Sequence, residues 1–270
     1  MEIGASLARI ELFARDPAAS ASFYAATFGL KHEERDGALI CTAPGRELRL
    51  STGPAGQLRR AAFRFASADA FAAHREALLR RDVTLHEDTP ASITVRDPEG
   101  RLIQFLAPAQ AQNTSDDLPE ARLQHFGVRS PSAAALSEFY VAKLGFVLSD
   151  RVLDAAGELT AAFLRTDAEH HSMAIFRAPE VRFDHFSCEA PGWQQLREWA
   201  DHMASVGVDL AWGIGRHGPG NDTFLMVKDP DDNLAEVSSD LEVCAPGRAA
   251  GVWEHRPQTL NQWGVAIMRS

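Results

Sequence analysis

Three side chains in the second half of this 270-residue chain carry the chemistry that stands out: His125 in LQHFGV, His185 in FDHFSC and Glu236 in NLAEVS. Each lies in a short alternating apolar segment of the kind that forms a strand. They are far apart in sequence, but neighbouring strands of one curved sheet can bring such positions together. Two imidazoles and one carboxylate grip one face of a divalent ion and leave the opposite face open. An Fe(II) centre that must bind both O2 and a second substrate needs that arrangement; Mn(II) suits the same donors and Zn(II) accepts them. Spacing alone does not separate this reading from two histidines packed in a core.

The elements around these residues supply the distinction, because the chain is written twice. LARIELFARDPAASASFYAATFGL (7–30) aligns with LQHFGVRSPSAAALSEFYVAKLGF (123–146). Phe23-Tyr24 falls on Phe139-Tyr140 and Gly29 on Gly145, at a constant offset of 116. VRDPEGRLIQFLAP (95–108) aligns with VKDPDDNLAEVSSD (227–240) at an offset of 132, so the second copy carries about 16 extra residues between the two matches. At the three candidate ligand positions the first copy has Arg9, about Ala62, and Gln104. A set that is absent as a set from one copy, and present as a set in the other, behaves like a site.

Each copy has the same rhythm. A strand (Ala8 to Phe13; Gln124 to Arg129) leads through a Pro turn into an alanine-rich helix, which ends at a glycine. Short strands bounded by Gly and Pro follow, then a second helix with apolar residues at three- and four-residue spacing, over 68–82 and 192–207. A DP-[ED]-[GD] turn and a last strand close the unit. The pattern predicts an α+β fold of tandem βαβββ modules, paired into two curved-sheet, open barrel-like domains over 1–110 and 121–270. The polar, acidic stretch AQAQNTSDDLPEA (109–121) is read as their linker.

A formal net charge of −10, without a Lys/Arg run, argues against nucleic-acid and anionic-membrane partners. Cys41, Cys188 and Cys244 are scattered and odd in number, which fits a reducing compartment rather than a disulfide scaffold. The first residues lack a basic region followed by an apolar run, and no stretch approaches the roughly 20 apolar residues of a spanning helix. A cytoplasmic protein is expected.

LQHFGVRS (123–130), EHHSMAIF (169–176), FDHFSCEA (183–190), GIGRHGPGNDTF (213–224) and KDPDDNLAEVSSD (228–240), in this order, resemble the vicinal-oxygen-chelate superfamily and, within it, the two-module type I extradiol ring-cleaving dioxygenases. The resemblance runs from about residue 7 to 264. It implies one Fe(II), or Mn(II), on His125, His185 and Glu236, with the first domain lacking a metal site, and an aromatic catechol-type substrate cleaved with O2. It assigns His171 to taking a proton from the substrate, as suits a neutral imidazole near pH 7. It places His217 on the substrate oxygens, in a glycine-rich run that lets backbone approach a ligand. Asn221 and Asp222 follow as substrate-binding candidates, and Trp263 and Trp253 of the tail (251–264) as pocket walls. His170 is read as the member of the pair without a chemical role. A homo-oligomer is expected by the same resemblance.

The chain departs from that pattern in two places. The family's tyrosine ten residues before the metal-binding glutamate is Met226 here, and Tyr24 and Tyr140, the only tyrosines, belong to the core-packing FY motifs. The arginine pair of carboxylate-selective members is replaced by Leu260 and Asn261, with Arg256 nearby. Two alternatives share the fold. A metal-dependent isomerase, epimerase or thiol transferase of the superfamily commonly binds its ion with two glutamates, unlike the set here. A non-catalytic small-molecule binder commonly lacks the ligands altogether.

Overall fold

The computed structural model describes residues 2–109 and 118–269, so most of the expected linker lies outside the described residues. The first half runs β1 (Ala5–Ala14), α1 (Pro17–Phe28), β2 (Lys31–Arg35), β3 (Ala38–Ala43), β4 (Arg46–Thr52), β5 (Gln57–Phe65), α2 (Ala68–Arg80), β6 (Leu85–Asp88), β7 (Ser92–Arg96) and β8 (Leu102–Leu106). The second runs β9 (Arg122–Ser130), α3 (Ala133–Phe139) continued by a wider turn over Tyr140–Leu144, β10 (Val147–Leu153), β11 (Leu159–Arg165), β12 (Met173–Arg177), β13 (Arg182–Glu189), α4 (Trp193–Ser205), β14 (Trp212–Arg216), β15 (Thr223–Lys228) and β16 (Leu234–Ser239). It ends with β17 (Gly251–Glu254) and the single turn α5 (Pro257–Leu260).

Local chemistry explains the punctuation. Asp16 caps α1 by accepting from Ala18 and Ala19 N–H at 3.0 Å each, Pro17 starts the helix, and Gly29 ends it with φ 65°, where a Cβ would be strained. Ser67 caps α2 through the Ala70 N–H at 3.1 Å. Each half forms one mixed sheet, in the order β2-β3-β4-β1-β5-β8-β7-β6 and β10-β11-β12-β9-β13-β16-β15-β14. Strand for strand these are the same, and β17 adds one strand beside β10. The sequence repeat is therefore a structural repeat of paired βαβββ modules.

The two sheets share one apolar core. Phe28 on α1 packs on Phe186 of β13 at 5.6 Å and on Trp199 of α4 at 5.8 Å. Phe63 of β5 meets Phe146, just before β10, at 5.3 Å. The two tyrosines are traded across the halves. Tyr24 Oη donates to Asp229 at 2.8 Å, in the turn before β16; Tyr140 Oη donates to Asp97 at 3.1 Å, in the turn before β8. Both partners obey the repeat offsets, which is the mark of a pseudo-twofold pair. Both hydroxyls are buried and committed, so neither tyrosine serves the candidate site. Among the described residues no helix is long and apolar enough to cross a membrane.

Candidate metal centre

Strand register assembles the site. Across adjacent strands β9, β13 and β16, His125 sits opposite Ser187, and Ser187 opposite Glu236; Met226 of β15 extends the row. His185 lies two residues before Ser187, on the same face. The potential ligand atoms of His125, His185 and Glu236 all lie within 4.8 Å of one another, with His125 Nε2 3.7 Å from Glu236 Oε1. All three side chains are buried. Opposite His185 the strand has Gly127, and a Cβ there would come within 2.4 Å of the imidazole, so the ring occupies space that only glycine leaves.

The remaining nitrogen of each imidazole is tied down. His125 Nδ1 lies 2.6 Å from Gln124 Oε1, and His185 Nδ1 2.7 Å from Asp184 Oδ1. An amide or carboxylate oxygen only accepts, so Nδ1 carries the proton in both rings and each Nε2 keeps a free lone pair, the form that ligates a metal. Gln124 and Asp184 neighbour their histidines in strands, where adjacent side chains ordinarily face apart. The β9–β13 register skips at both residues, and each skip turns its side chain back toward the neighbouring ring. The first half skips at the matching residues, Ala8 and Arg59.

Burial holds His125 neutral, reinforced by the other imidazoles around it, and lowers His171 in the same way; it also lowers His217, against the opposing effects of Asp222 and the Leu260 carbonyl. Burial also raises the Glu236 carboxyl, against the opposing effect of His185. Ser187 Oγ donates to Glu236 Oε1 at 2.9 Å, while the buried Glu236 Oε2 has no hydrogen-bond partner. An orphaned carboxylate oxygen is costly in a low-dielectric interior, and a cation held between it and two Nε2 lone pairs would remove that cost. The donor set therefore fits a divalent ion. Burial acts to raise Asp184 too, but Arg269 and His185 together outweigh it and hold this carboxyl well below the usual carboxylate range. Arg129 Nε at 2.6 Å and Arg269 Nη2 at 2.8 Å both donate to it.

In the first half the register shows which residues stand at the equivalent places: Arg9, Arg60 and Gln104, with Glu11 at the place of Gly127. Arg60, rather than Ala62, matches His185, because Ala62 pairs with Gln104 as Ser187 pairs with Glu236. Arg9 donates to Glu11 at 2.9 Å and to Gln104 at 2.6 Å, and Arg60 lies 3.7 Å from Glu11. Guanidinium charge fills the space where the second half gathers lone pairs.

Beside the ligands lies a narrow pocket walled by Phe163, Ala174, Phe176, Trp212, Pro219, Met226 and Leu260 and reached by His171, His217 and Arg269. His171 packs at a tilt against His125, with ring centroids 4.3 Å apart. His217 lies flat on Phe224 at 3.9 Å; its Nδ1 is 2.5 Å from the Leu260 carbonyl, so that nitrogen donates and Nε2 is free, 4.0 Å from Glu236. Asp222 is buried close to His217 and Glu236, its two oxygens have no hydrogen-bond partner, and burial pushes it up to about 7.

Two expected binding residues lie elsewhere. Asn221 adopts a left-handed turn conformation (φ 57°) that puts its side chain in solvent, where it accepts from Arg216 Nε at 3.0 Å. Trp263 is 52 % exposed and packs edge-on against Trp193, so Trp212 supplies the indole wall instead. Trp253 donates to Asp150 at 2.6 Å outside the cavity. Sequence reasoning missed Gln124, Asp184 and Arg269. The polar residue directly before each ligand histidine was the available signal for the first two; nothing local marks Arg269, which reaches the site through the fold of the tail.

Residues 122–237 match the family model described as the Glyoxalase/Bleomycin resistance protein/Dioxygenase superfamily. The chain is 26 % identical over 225 residues to metapyrocatechase 2 of Cupriavidus necator, covering 73 % of this chain and 69 % of that protein. It is 27 % identical over 117 residues to a metapyrocatechase of Pseudomonas sp. (strain CF600), covering 43 % of this chain and 38 % of that one. Among solved structures, the fold resembles the Mn(II)-bound glyoxalase of Novosphingobium aromaticivorans (TM-score 0.82, 22 % identity, 100 % of this chain and 93 % of that one). It also resembles homoprotocatechuate 2,3-dioxygenase of Brevibacterium fuscum in complex with 3,4-dihydroxyphenylacetate (TM-score 0.81, 21 % identity, 99 % and 91 %).

Proposed function

We propose that this chain, which through residues 122–237 belongs to the Glyoxalase/Bleomycin resistance protein/Dioxygenase superfamily, is an Fe(II)-dependent extradiol dioxygenase that cleaves the ring of a catechol-type substrate with O2. In this reading 121–270 is the catalytic domain and 1–110 its partner without a metal site. The observation that carries it is the convergence of two imidazole Nε2 lone pairs and a half-unpartnered buried carboxylate at the base of an aromatic-lined cavity. His125, His185 and Glu236 would hold the ion, for which Mn(II) is an alternative. When bound, it supplies Lewis acidity, redox chemistry and open positions for a dihydroxylated ring and O2.

The chain's own residues do the rest. Phe163, Phe176, Trp212, Met226 and Leu260 sandwich an aromatic ring and exclude water. His171 is neutral, so it can take a proton from a catechol hydroxyl. The free Nε2 of His217 accepts from the second hydroxyl and fixes the ring's orientation. Asp222, in its neutral form, can donate a hydrogen bond beside His217.

Anaerobic loading with Fe(II), followed by O2 uptake over a panel of catechols, tests the assignment. Uptake with formation of a yellow ring-opened product is expected; an iron-loaded protein that consumes no O2 with any catechol overturns it. A glyoxalase-type isomerase is the second reading, favoured by Met226 where the pocket has no tyrosine. It requires turnover without O2, and the same uptake assay separates the two.

A further inference from the structure

His170, expected to have no chemical role, is completely buried and joins two groups. Its Nδ1 lies 3.1 Å from His171 Nδ1, and its Nε2 lies 3.2 Å from Asp150 Oδ2. Asp150 is itself buried and held from three directions: Trp253 Nε1 donates to it at 2.6 Å, the Gly251 N–H at 3.0 Å and Arg248 Nη1 at 3.0 Å. A Cβ on Gly251 would sit 2.5 Å from Asp150 Oδ1, so β17 comes as close as a backbone can. The line Asp150, His170, His171 thus runs from the edge of the sheet to the wall of the cavity.

We propose that Asp150 and His170 are positioning residues that set the tautomer of His171. His170 Nε2 is off the line of a regular hydrogen bond, but a lone pair held 3.2 Å from a carboxylate oxygen would be repelled, so this nitrogen carries the proton. In the tautomer with that proton, the His170 lone pair sits on Nδ1, which lies 3.1 Å from His171 Nδ1. That lone pair fixes the proton of His171 on its own Nδ1. The second nitrogen of His171, Nε2, is left as a lone pair, which is the form a base needs. An aspartate holding a histidine in one tautomer serves the same purpose in hydrolytic triads; here a second histidine stands between the two.

The inference deepens the dioxygenase reading and rests on it for the use of the base, but its first test does not involve turnover. Long-range nitrogen–proton NMR on metal-free, nitrogen-15 histidine-labelled protein reads each tautomer directly. His171 protonated at Nδ1 is expected; His171 protonated at Nε2 overturns the proposal. His170→Gln keeps both an acceptor toward His171 and a donor toward Asp150, and retains the tautomer and at least about a third of kcat. His170→Phe keeps the volume but not the acceptor; it gives a mixed tautomer and lowers kcat about 100-fold, with KM changed less than about threefold and bound metal unchanged. Equal kcat in His170→Phe and the wild type overturns the proposal. A wild type that cleaves no catechol while His171 is protonated at Nδ1 refutes the dioxygenase reading and upholds the tautomer.

Discussion

Gly127→Ala isolates the metal-binding hypothesis with a single methyl group. The new Cβ would lie 2.4 Å from His185 Cε1 and 2.6 Å from its Nδ1, against an ordinary contact of 3.4–4 Å, so the ring must retreat by about 1 Å. The backbone at Gly127 lies outside the left-handed region, so alanine is not strained there and the strand persists. A metal–ligand bond tolerates a displacement of about 0.2 Å, and the retreat also breaks the 2.7 Å bond from His185 Nδ1 to Asp184. Loss of an outer-shell partner alone typically costs 10- to 100-fold in affinity. Displacing a ligand as well makes a loss of at least about 100-fold the expectation, equivalent to about 2.7 kcal/mol. Overpacking should also lower stability by about 1–3 kcal/mol. Competition with a chromophoric chelator under anaerobic Fe(II), or under Mn(II), measures the first quantity, and urea unfolding the second. A folded Gly127→Ala protein that binds the ion as tightly as the wild type refutes the assignment of His185 as a ligand.

Asp184→Asn should weaken metal binding about 10- to 100-fold, because the carboxylate orients His185 and compensates Arg129 and Arg269; unchanged affinity in the same competition assay would count against that role. Tyr24→Phe should cost about 1–2 kcal/mol in urea unfolding, since it removes a buried hydroxyl from Asp229 across the two halves, and Tyr140→Phe should behave alike through Asp97. His74, packed at 4.3 Å from Phe105, is pushed down to about 4 by burial, with help from Arg81. Its folded value lies below the unfolded 6.5, so the unfolded chain binds the proton first and stability is lost as pH falls from 6.5 toward 4, by up to about 3 kcal/mol. His74→Phe should therefore gain stability relative to the wild type over that window; parallel stability–pH curves would refute the assignment.

The repeat in the sequence already contained the architecture. A helix capped by Asp16 and closed by Gly29, strands set off by glycine and proline, and a DP turn before the last strand are local signals, and their recurrence at fixed offsets announced two copies of one unit. The same recurrence made His125, His185 and Glu236 visible as a set, because the other copy has Arg9, about Ala62, and Gln104 there; only the strand register moved the middle position to Arg60. The groups that orient the ligand histidines were not legible. Gln124 and Asp184 face their histidines only because the strand register skips at each of them, and a skip depends on how two strands pair rather than on either strand alone. Asn221 looked available but is turned outward by its own backbone, and the indole wall falls to Trp212 rather than Trp263. Arg269 reaches Asp184 from 85 residues away, and Asp150 meets His170 only through the packing of the sheet. Local sequence records which atoms can donate or accept; only the closed fold determines which of them meet, because burial and register are set by the whole chain at once.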